Sequence, residues 1–238
     1  MHEGHSKPLF QEDAYRQSCV AQIVAVTATG VVLDQTVFYP LGGGQPGDTG
    51  TLTQADGSVL TVVDTRKGED GAIVHWLADD TEPLTPGSAV TASIDWPRRY
   101  RHMRMHTCMH LLGSLIPEPV TGGNVGAEKS RLDFNLPESP DKHELTTQLN
   151  ALIEADHPVS TRWISDAELD ANPELVRTMS VSPPRGAGRI RLLQIGNVDL
   201  QPCGGTHVRS TGEIGTAVVS KIENKGKQNR RFHLQLPD

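Results

Sequence analysis

Two short segments carry side chains of the kind that bind metal ions. In Arg101-His102-Met103-Arg104-Met105-His106-Thr107-Cys108-Met109-His110, three histidines recur every four residues; in Gln201-Pro202-Cys203-Gly204-Gly205-Thr206-His207-Val208, a thiol and an imidazole are separated by three residues. On a helix, residues four apart share one face, so two of the three histidines can turn their rings toward one ion. Gly204 and Gly205 leave the second segment free to bend tightly, so that Cys203 and His207 can converge. Mixed thiolate and imidazole donors suit zinc, usually in a tetrahedral set of four. The spacing alone leaves open which two of His102, His106 and His110 take part. Thr107 stands where a His-Glu-x-x-His protease carries its glutamate, which argues against a thermolysin-like peptidase.

The elements that must hold these segments can be read around them. Asp95 can cap a helix that Pro97 opens, running from Pro97 to Ile116 and ended by Pro117. Arg189 to Ile195 reads as a strand leading into the cysteine segment. Between the two lie a loop from Val120 to Gly126, a strand from Ser130 to Leu136, and a helix from Ser139-Pro140 to about Asp156 with Leu145, Leu149, Leu152 and Ile153 as its apolar stripe. A strand follows from Val159 to Ile164, then a short helical piece capped by Asp166. Strands over Ile214 to Ile222 and Arg231 to Leu236 close the chain through an Asn224-Lys225-Gly226-Lys227 turn. Ser182 to Gly188 is a loop.

Before Asp95 the signals are strands and turns: Val20 to Val26 and Val31 to Leu33 flanking Thr29-Gly30, then Thr36 to Tyr39, Val59 to Asp64, Ala72 to Leu77, and Ala89 to Ile94. Short strands with no helical period predict a small barrel or sandwich. Within it, Phe38-Tyr39-Pro40-Leu41-Gly42-Gly43-Gly44-Gln45-Pro46-Gly47 is dense in glycine, which lets a backbone approach a ligand closely. The fold class expected is α+β: a small amino-terminal β-barrel over residues 1–95, then an α+β domain over 96–238 with an antiparallel sheet and long helices.

The 238 residues carry a net charge of −7, unevenly spread. Met1 to Asp95 has four Lys and Arg against thirteen Asp and Glu, whereas Trp96 to Asp238 has eighteen against sixteen. The second part gathers its cations at Arg98, Arg99, Arg101 and Arg104, at Arg185, Arg189 and Arg191, and at Lys221, Lys225, Lys227, Arg230 and Arg231. Such clusters on an acidic protein can still follow a phosphate backbone. Three scattered cysteines, Cys19, Cys108 and Cys203, argue against a disulfide framework. With neither a signal-peptide pattern nor a long apolar run, the expectation is a cytoplasmic protein with no membrane segment.

The motifs resemble those of a known family. His106-Thr-Cys-Met-His110-Leu-Leu, Ser130-Arg131-Leu132-Asp133-Phe134, and Asp199-Leu-Gln-Pro-Cys203-Gly-Gly-Thr-His207-Val with Thr211-Gly-Glu-Ile-Gly215 are similar to the editing domain of alanyl-tRNA synthetases. The Phe38 to Gly50 stretch resembles the glycine-rich segment of the barrel before that domain. With no room for an aminoacylation domain, the chain is identified as resembling the AlaX family of free-standing alanyl-tRNA editing proteins, in its longer form. The resemblance implies a zinc-containing editing domain over 96–238, with His106, His110, Cys203 and His207 as zinc ligands and His102 left out. It also implies an ATP-independent deacylase, without a nucleotide cofactor, that cleaves serine, and by extension glycine, from alanine tRNA by metal-organised water attack on the aminoacyl ester. Expected substrate contacts are Asn124, Thr206 and the backbone at Gly42, Gly43 and Gly44; expected tRNA contacts are Arg98, Arg99, Arg101, Arg104, Lys221, Lys225, Lys227, Arg230 and Arg231. The competing readings are a structural-zinc RNA-binding module without hydrolytic activity and a metal-dependent hydrolase of small esters.

Overall fold

The computed structural model describes residues 6–68, 71–78, 84–178 and 188–237. The chain divides into two compact units, Met1–Tyr100 and Arg101–Asp238.

The first unit is a closed barrel of six antiparallel strands: β2 (Ser18–Val26), β3 (Gly30–Leu33), β5 (Gly50–Gln54), β6 (Val59–Lys67), β7 (Ile73–Leu77) and β8 (Ala89–Ile94), in the order β2-β3-β7-β6-β5-β8. Closure follows from alternation. Cys19, Ala21 and Ile23 of β2 point inward with Leu33, Leu52, Leu60, Val62, Val90 and Ala92, while Val20, Gln22 and Val24 point out. Gly30 is required at its place in the barrel, since a Cβ there would lie 1.8 Å from the His75 carbonyl oxygen. Of the expected Thr36 to Tyr39 strand only β4 (Gln35–Thr36) forms, paired in parallel with β1 (Lys7–Pro8). The chain then leaves the strand direction: the Thr36 hydroxyl and the Asp48 carboxylate accept from the Phe38 and Tyr39 N–H groups. Strand β5 was not expected from sequence; in Gly-Thr-Leu-Thr-Gln only Leu52 is buried.

His75 sits at 0% exposure in this barrel. Its Nδ1–H donates to the Val31 carbonyl (3.1 Å), so Nε2 accepts from the Thr36 hydroxyl (2.7 Å) and the ring is neutral. Burial holds its pKa down at about 4 from an ordinary 6.5. A depressed folded pKa means that the unfolded chain takes the proton first. The stabilisation is therefore complete above pH 6.5 and lost as the pH falls toward 4, by about 3 kcal/mol. Urea unfolding at pH 7 and pH 4.5 should show this loss in the wild type, and a His75→Gln variant should lose correspondingly less.

In the second unit, α1 (Trp96–Leu115), whose first turn belongs to the first unit, is buried on most of its circumference: Met103, Met105, His106, Thr107, Cys108, Leu111 and Leu112 are all inaccessible or nearly so. As expected, the Asp95 carboxylate caps its start, accepting from the Arg98 N–H. Four antiparallel strands, β9 (Val120–Asn124), β10 (Lys129–Phe134), β14 (Val218–Asn224) and β15 (Arg230–Gln235), form a sheet in the order β14-β15-β10-β9. The expected loop from Val120 to Gly126 is thus largely strand; two glycines hid it, because a strand glycine offers no side-chain pattern to read. Gly123 sits where its missing side chain would meet Met109 of α1 (3.4 Å).

On the buried face Phe134 and Phe232 meet edge to face at 5.2 Å. There α2 (Lys142–Glu154), capped by Asp141, seats Leu145, Leu149 and Ile153, and its Asn150 amide both donates to and accepts from the Ala217 backbone next to β14. A second antiparallel sheet, β11-β12-β13, consists of Val159–Ile164, Ile190–Ile195 and Asp199–Pro202. The short helix α3 (Asp166–Ala171) is capped by Ser165 rather than Asp166, in a capping box with Glu168. The predicted loop at Ser182 to Gly188, with Arg185, lies outside the described residues apart from Gly188. No helix among the described residues is long and apolar enough to cross a membrane. The fold is α+β with an amino-terminal barrel.

Candidate metal centre

Helix α1 and the loop after β13 bring four donors together. The candidate ligand atoms of His106, His110, Cys203 and His207 all lie within 4.8 Å of one another. His106 and His110 come from successive turns of α1, and the ring of His207 packs 4.4 Å from that of His106 and 5.1 Å from that of His110. Cys203 Sγ lies 3.2 Å from His207 Nε2 and 3.8 Å from His106 Nε2. A tetrahedral zinc with ordinary bond lengths places its ligand atoms about 3.3–3.8 Å apart. These residues therefore fit the ion by atom type and number, and the two Cys203 distances are close to those of a shared ion. His102, buried one turn earlier, is not part of this group.

The cluster's electrostatics are those of buried donors packed against one another. Burial opposes the Cys203 thiolate, yet the surrounding imidazoles of His106, His207 and His110 outweigh it and hold the thiol well below its usual value. Burial likewise opposes a charged His110, but Cys203 and Asp199 raise it to about 10; His207 is pushed down to about 3, mainly by burial. Buried donors that must otherwise share protons are the arrangement that a divalent cation relieves.

A second layer of residues fixes the rings. Asp199 Oδ2 is 2.9 Å from His110 Nδ1 and accepts from the Gln201 amide at 2.8 Å. The Gln201 nitrogen also lies 3.0 Å from His110 Nδ1. Both nitrogens are donors, so the consistent assignment sends both hydrogens to Asp199 and leaves His110 Nε2 as the lone-pair donor to the cluster. Thr107 does the same for His207. Its hydroxyl donates to Met103 O (2.9 Å) and so accepts from His207 Nδ1 (3.2 Å), freeing Nε2. The cysteine loop is pinned by Arg191, buried in β12, whose Nη1 donates to the carbonyls of Cys203 (3.0 Å) and Gly205 (2.8 Å). Arg191 belongs to one of the basic clusters read from sequence, but it braces backbone.

Other expected contacts are placed differently. Thr206 is wholly buried, so its hydroxyl presents no surface to an incoming substrate. Asn124 is exposed at the end of β9, but it pairs with Arg131; because Gly123 faces α1, strand alternation turns Asn124 to the opposite face of the sheet. In the first unit, Gly42 and Gln45 exchange backbone hydrogen bonds, and Gly43 and Gly44 have φ of 56° and 81°, which only glycine adopts without strain. The local turn thus explains these glycines.

Among the expected RNA contacts, Arg99 is fully buried against Asp48, and Arg230 is buried against the Pro137 and Gly226 carbonyls, so neither can reach a phosphate. Arg98 is half-buried and donates to Gly47 O, and Arg104 to Ile214 O. Arg101, Lys221, Lys225 and Lys227 are exposed, and Arg231 is half-buried against Asp133. The residues missed from sequence are Thr107, Asp199 and Gln201; the last two alternate along one strand directly before Cys203, a period-two signal that could have marked them.

Comparison with known proteins gives consistent results over both units. The family described as tRNA synthetases class II (A) matches residues 9–98, and the threonyl and alanyl tRNA synthetase second additional domain matches residues 190–233. The alanyl-tRNA editing protein AlaX-M of Saccharolobus solfataricus is 34% identical, covering 96% of this chain and 98% of its own length. That of Methanosarcina acetivorans is 37% identical, covering 97% and 98%. The alanine–tRNA ligase of Sulfurisphaera tokodaii is 36% identical over 92% of this chain, but over only 25% of the ligase. The chain covers nearly the whole length of the AlaX-M proteins and one quarter of the ligase, and it belongs to the AlaX-M family of alanyl-tRNA editing proteins.

Proposed function

We propose that this chain hydrolyses the ester linking a wrongly attached amino acid, serine foremost and glycine as well, to alanine tRNA. The observation that carries the reading is the cluster of His106, His110, Cys203 and His207, in a chain that aligns over nearly its whole length with proteins named for alanyl-tRNA editing. The barrel, residues 1–95, accompanies an editing domain over 96–238.

An aminoacyl ester is already activated, so the protein need only orient it, admit one water and stabilise the oxyanion. A zinc ion held by the four donors would supply Lewis-acid chemistry, either acidifying a water or taking the amino or hydroxyl group of the substrate. Asp199 and Thr107 keep the Nε2 atoms of His110 and His207 aimed at the cluster, and Arg191 keeps Cys203 from swinging away. Serine differs from alanine by one hydroxyl. A site that binds this hydroxyl can reject alanine strongly, whereas an apolar pocket cannot. The chemistry needs no nucleotide cofactor.

The test is a deacylation panel on alanine tRNA charged with serine, glycine or alanine, with metal analysis of the same preparation. Seryl-tRNA should be cleaved, alanyl-tRNA spared, and a chelator should abolish turnover. Equal rates on the seryl and alanyl forms would remove the editing role, and zinc content without any hydrolysis would favour an RNA-binding module.

A further inference from the structure

The outer face of the β14-β15-β10-β9 sheet carries charge in an order that the linear sequence does not reveal. Antiparallel register sets Lys221 beside His233, His233 beside Arg131, and Arg131 beside Asn124, one polar row across four strands. At strand spacings of about 4.8 Å such a row is about 14 Å wide. The neighbouring row is Glu223, Arg231, Asp133 and Gly122. Alternate residues, Leu132, Phe134, Phe232 and Leu234, turn to the buried face.

Each carboxylate on the outer face holds more than one cation. Asp133 accepts from Arg131 (2.8 Å) and from Nε and Nη2 of Arg231 (2.9 and 2.8 Å). Glu223 pairs with Lys221, with Lys225 (3.1 Å) and with His233 (3.2 Å), and these partners hold its pKa down at about 2. With the exposed Lys129, two carboxylates face five Lys and Arg, so positive charge remains in surplus on a chain whose net charge is −7. Four of these cations are held in place by the carboxylates, and the face stays accessible: the Lys221 side chain is 63% exposed and that of Arg131 38%. The exposed large apolar side chains of the described residues all lie elsewhere. A protein partner would want an apolar core to its interface, whereas a polyanion needs only ordered cations and amide or imidazole donors.

We infer that this sheet face is the track on which the phosphate backbone of the tRNA lies, with Lys129, Arg131, Lys221 and His233 as contacts and Asn124 as a polar contact at the row's end. The inference rests on the editing reading but concerns a surface apart from the metal cluster. It replaces the buried Arg99 and Arg230 with side chains that can meet a phosphate.

The test measures binding of uncharged alanine tRNA, and deacylation of seryl-tRNA, by the full chain between about 50 and 200 mM salt. Lys129→Gln, Lys221→Gln and Arg131→Gln should each lower the slope of log affinity against log salt by about 0.7–0.9. They should raise KM with kcat retained, and leave hydrolysis of a seryl ester lacking RNA unchanged. Lys7→Gln, in the first unit, serves as the control with no change in slope. Unaltered slopes in all three variants of a protein whose wild type deacylates seryl-tRNA would overturn the track and leave the editing reading intact. Lowered slopes in a protein that never deacylates would uphold the track and remove the hydrolysis. Equal binding of poly-glutamate, with the same losses, would assign the face to an acidic polypeptide instead.

Discussion

Cys203→Ala is expected to abolish both zinc retention and deacylation, while Asp199→Asn weakens the metal and spares the chemistry. The two side chains act at different removes. Cys203 supplies the one sulfur donor of the cluster, its pKa held well below the usual thiol value by the imidazoles around it, and no other described Cys, His, Asp or Glu belongs to the group that could replace it. Asp199 acts through His110: it accepts the Nδ1 hydrogen of that ring and so fixes which nitrogen faces the ion. Loss of such an outer partner costs about 10–100-fold in metal affinity, and loss of a ligand more. Competition against a chromophoric chelator should therefore rank wild type above Asp199→Asn above Cys203→Ala. Saturating zinc should restore deacylation to Asp199→Asn but not to Cys203→Ala. A Cys203→Ala protein that holds zinc as tightly as wild type would remove the cluster from the mechanism.

The ligands were legible because their chemistry is local: His-x-x-x-His on a helix and Cys-Gly-Gly-Thr-His in a bend announce themselves in a few residues. Resemblance, rather than spacing, separated His106 and His110 from His102, and the structure brings the same pair to Cys203 and His207. Most strands were legible for a similar reason, since Val20 to Val26 and Ala89 to Ile94 alternate visibly. Strands β5 and β9 were not, because Gly-Thr-Leu-Thr-Gln and Val-Thr-Gly-Gly-Asn carry too few apolar side chains to show a period. The orienting residues are invisible for a deeper reason: that Thr107 serves His207 and Arg191 serves Cys203 depends on which segments meet in space. Charge misled in the same way. Arg98 and Arg99 are neighbours in one basic run, yet Arg99 is wholly buried and Arg98 is not, because a helix turns adjacent residues to different surroundings. The cationic row on the sheet joins Lys221, His233 and Arg131 from three separate strands, and no window of sequence contains it.

Arg99→Met should destabilise the first unit by about 3–5 kcal/mol, the usual cost of stranding one member of a buried ion pair. Arg99 and Asp48 are 0% and 1% exposed, and the guanidinium also donates to the carbonyls of Ala14 (3.0 Å) and Val37 (2.7 Å). Removing it leaves a carboxylate in the interior, still accepting from the Tyr39 N–H but without its buried cation. Asp48→Asn combined with Arg99→Met removes the stranded charge, so the double variant should be more stable than Arg99→Met alone, with an interaction energy of the sign expected for a coupled pair. Urea unfolding of the full chain, compared across the four members of the cycle, reads this directly. The pair also matters to the glycine-rich segment. Asp48 closes that segment onto Tyr39 through two backbone groups, its N–H donating to Tyr39 O and its carboxylate accepting from Tyr39 N, while Arg98 holds Gly47 O. An arginine beside a cluster of other arginines thus has its largest effect on a turn fifty residues earlier in the chain. Arg99→Met should accordingly open Gly42 to Gly44 to limited proteolysis before the rest of the barrel yields, and proteolysis at that turn unchanged from wild type would show that the glycine turn holds its shape without the buried pair.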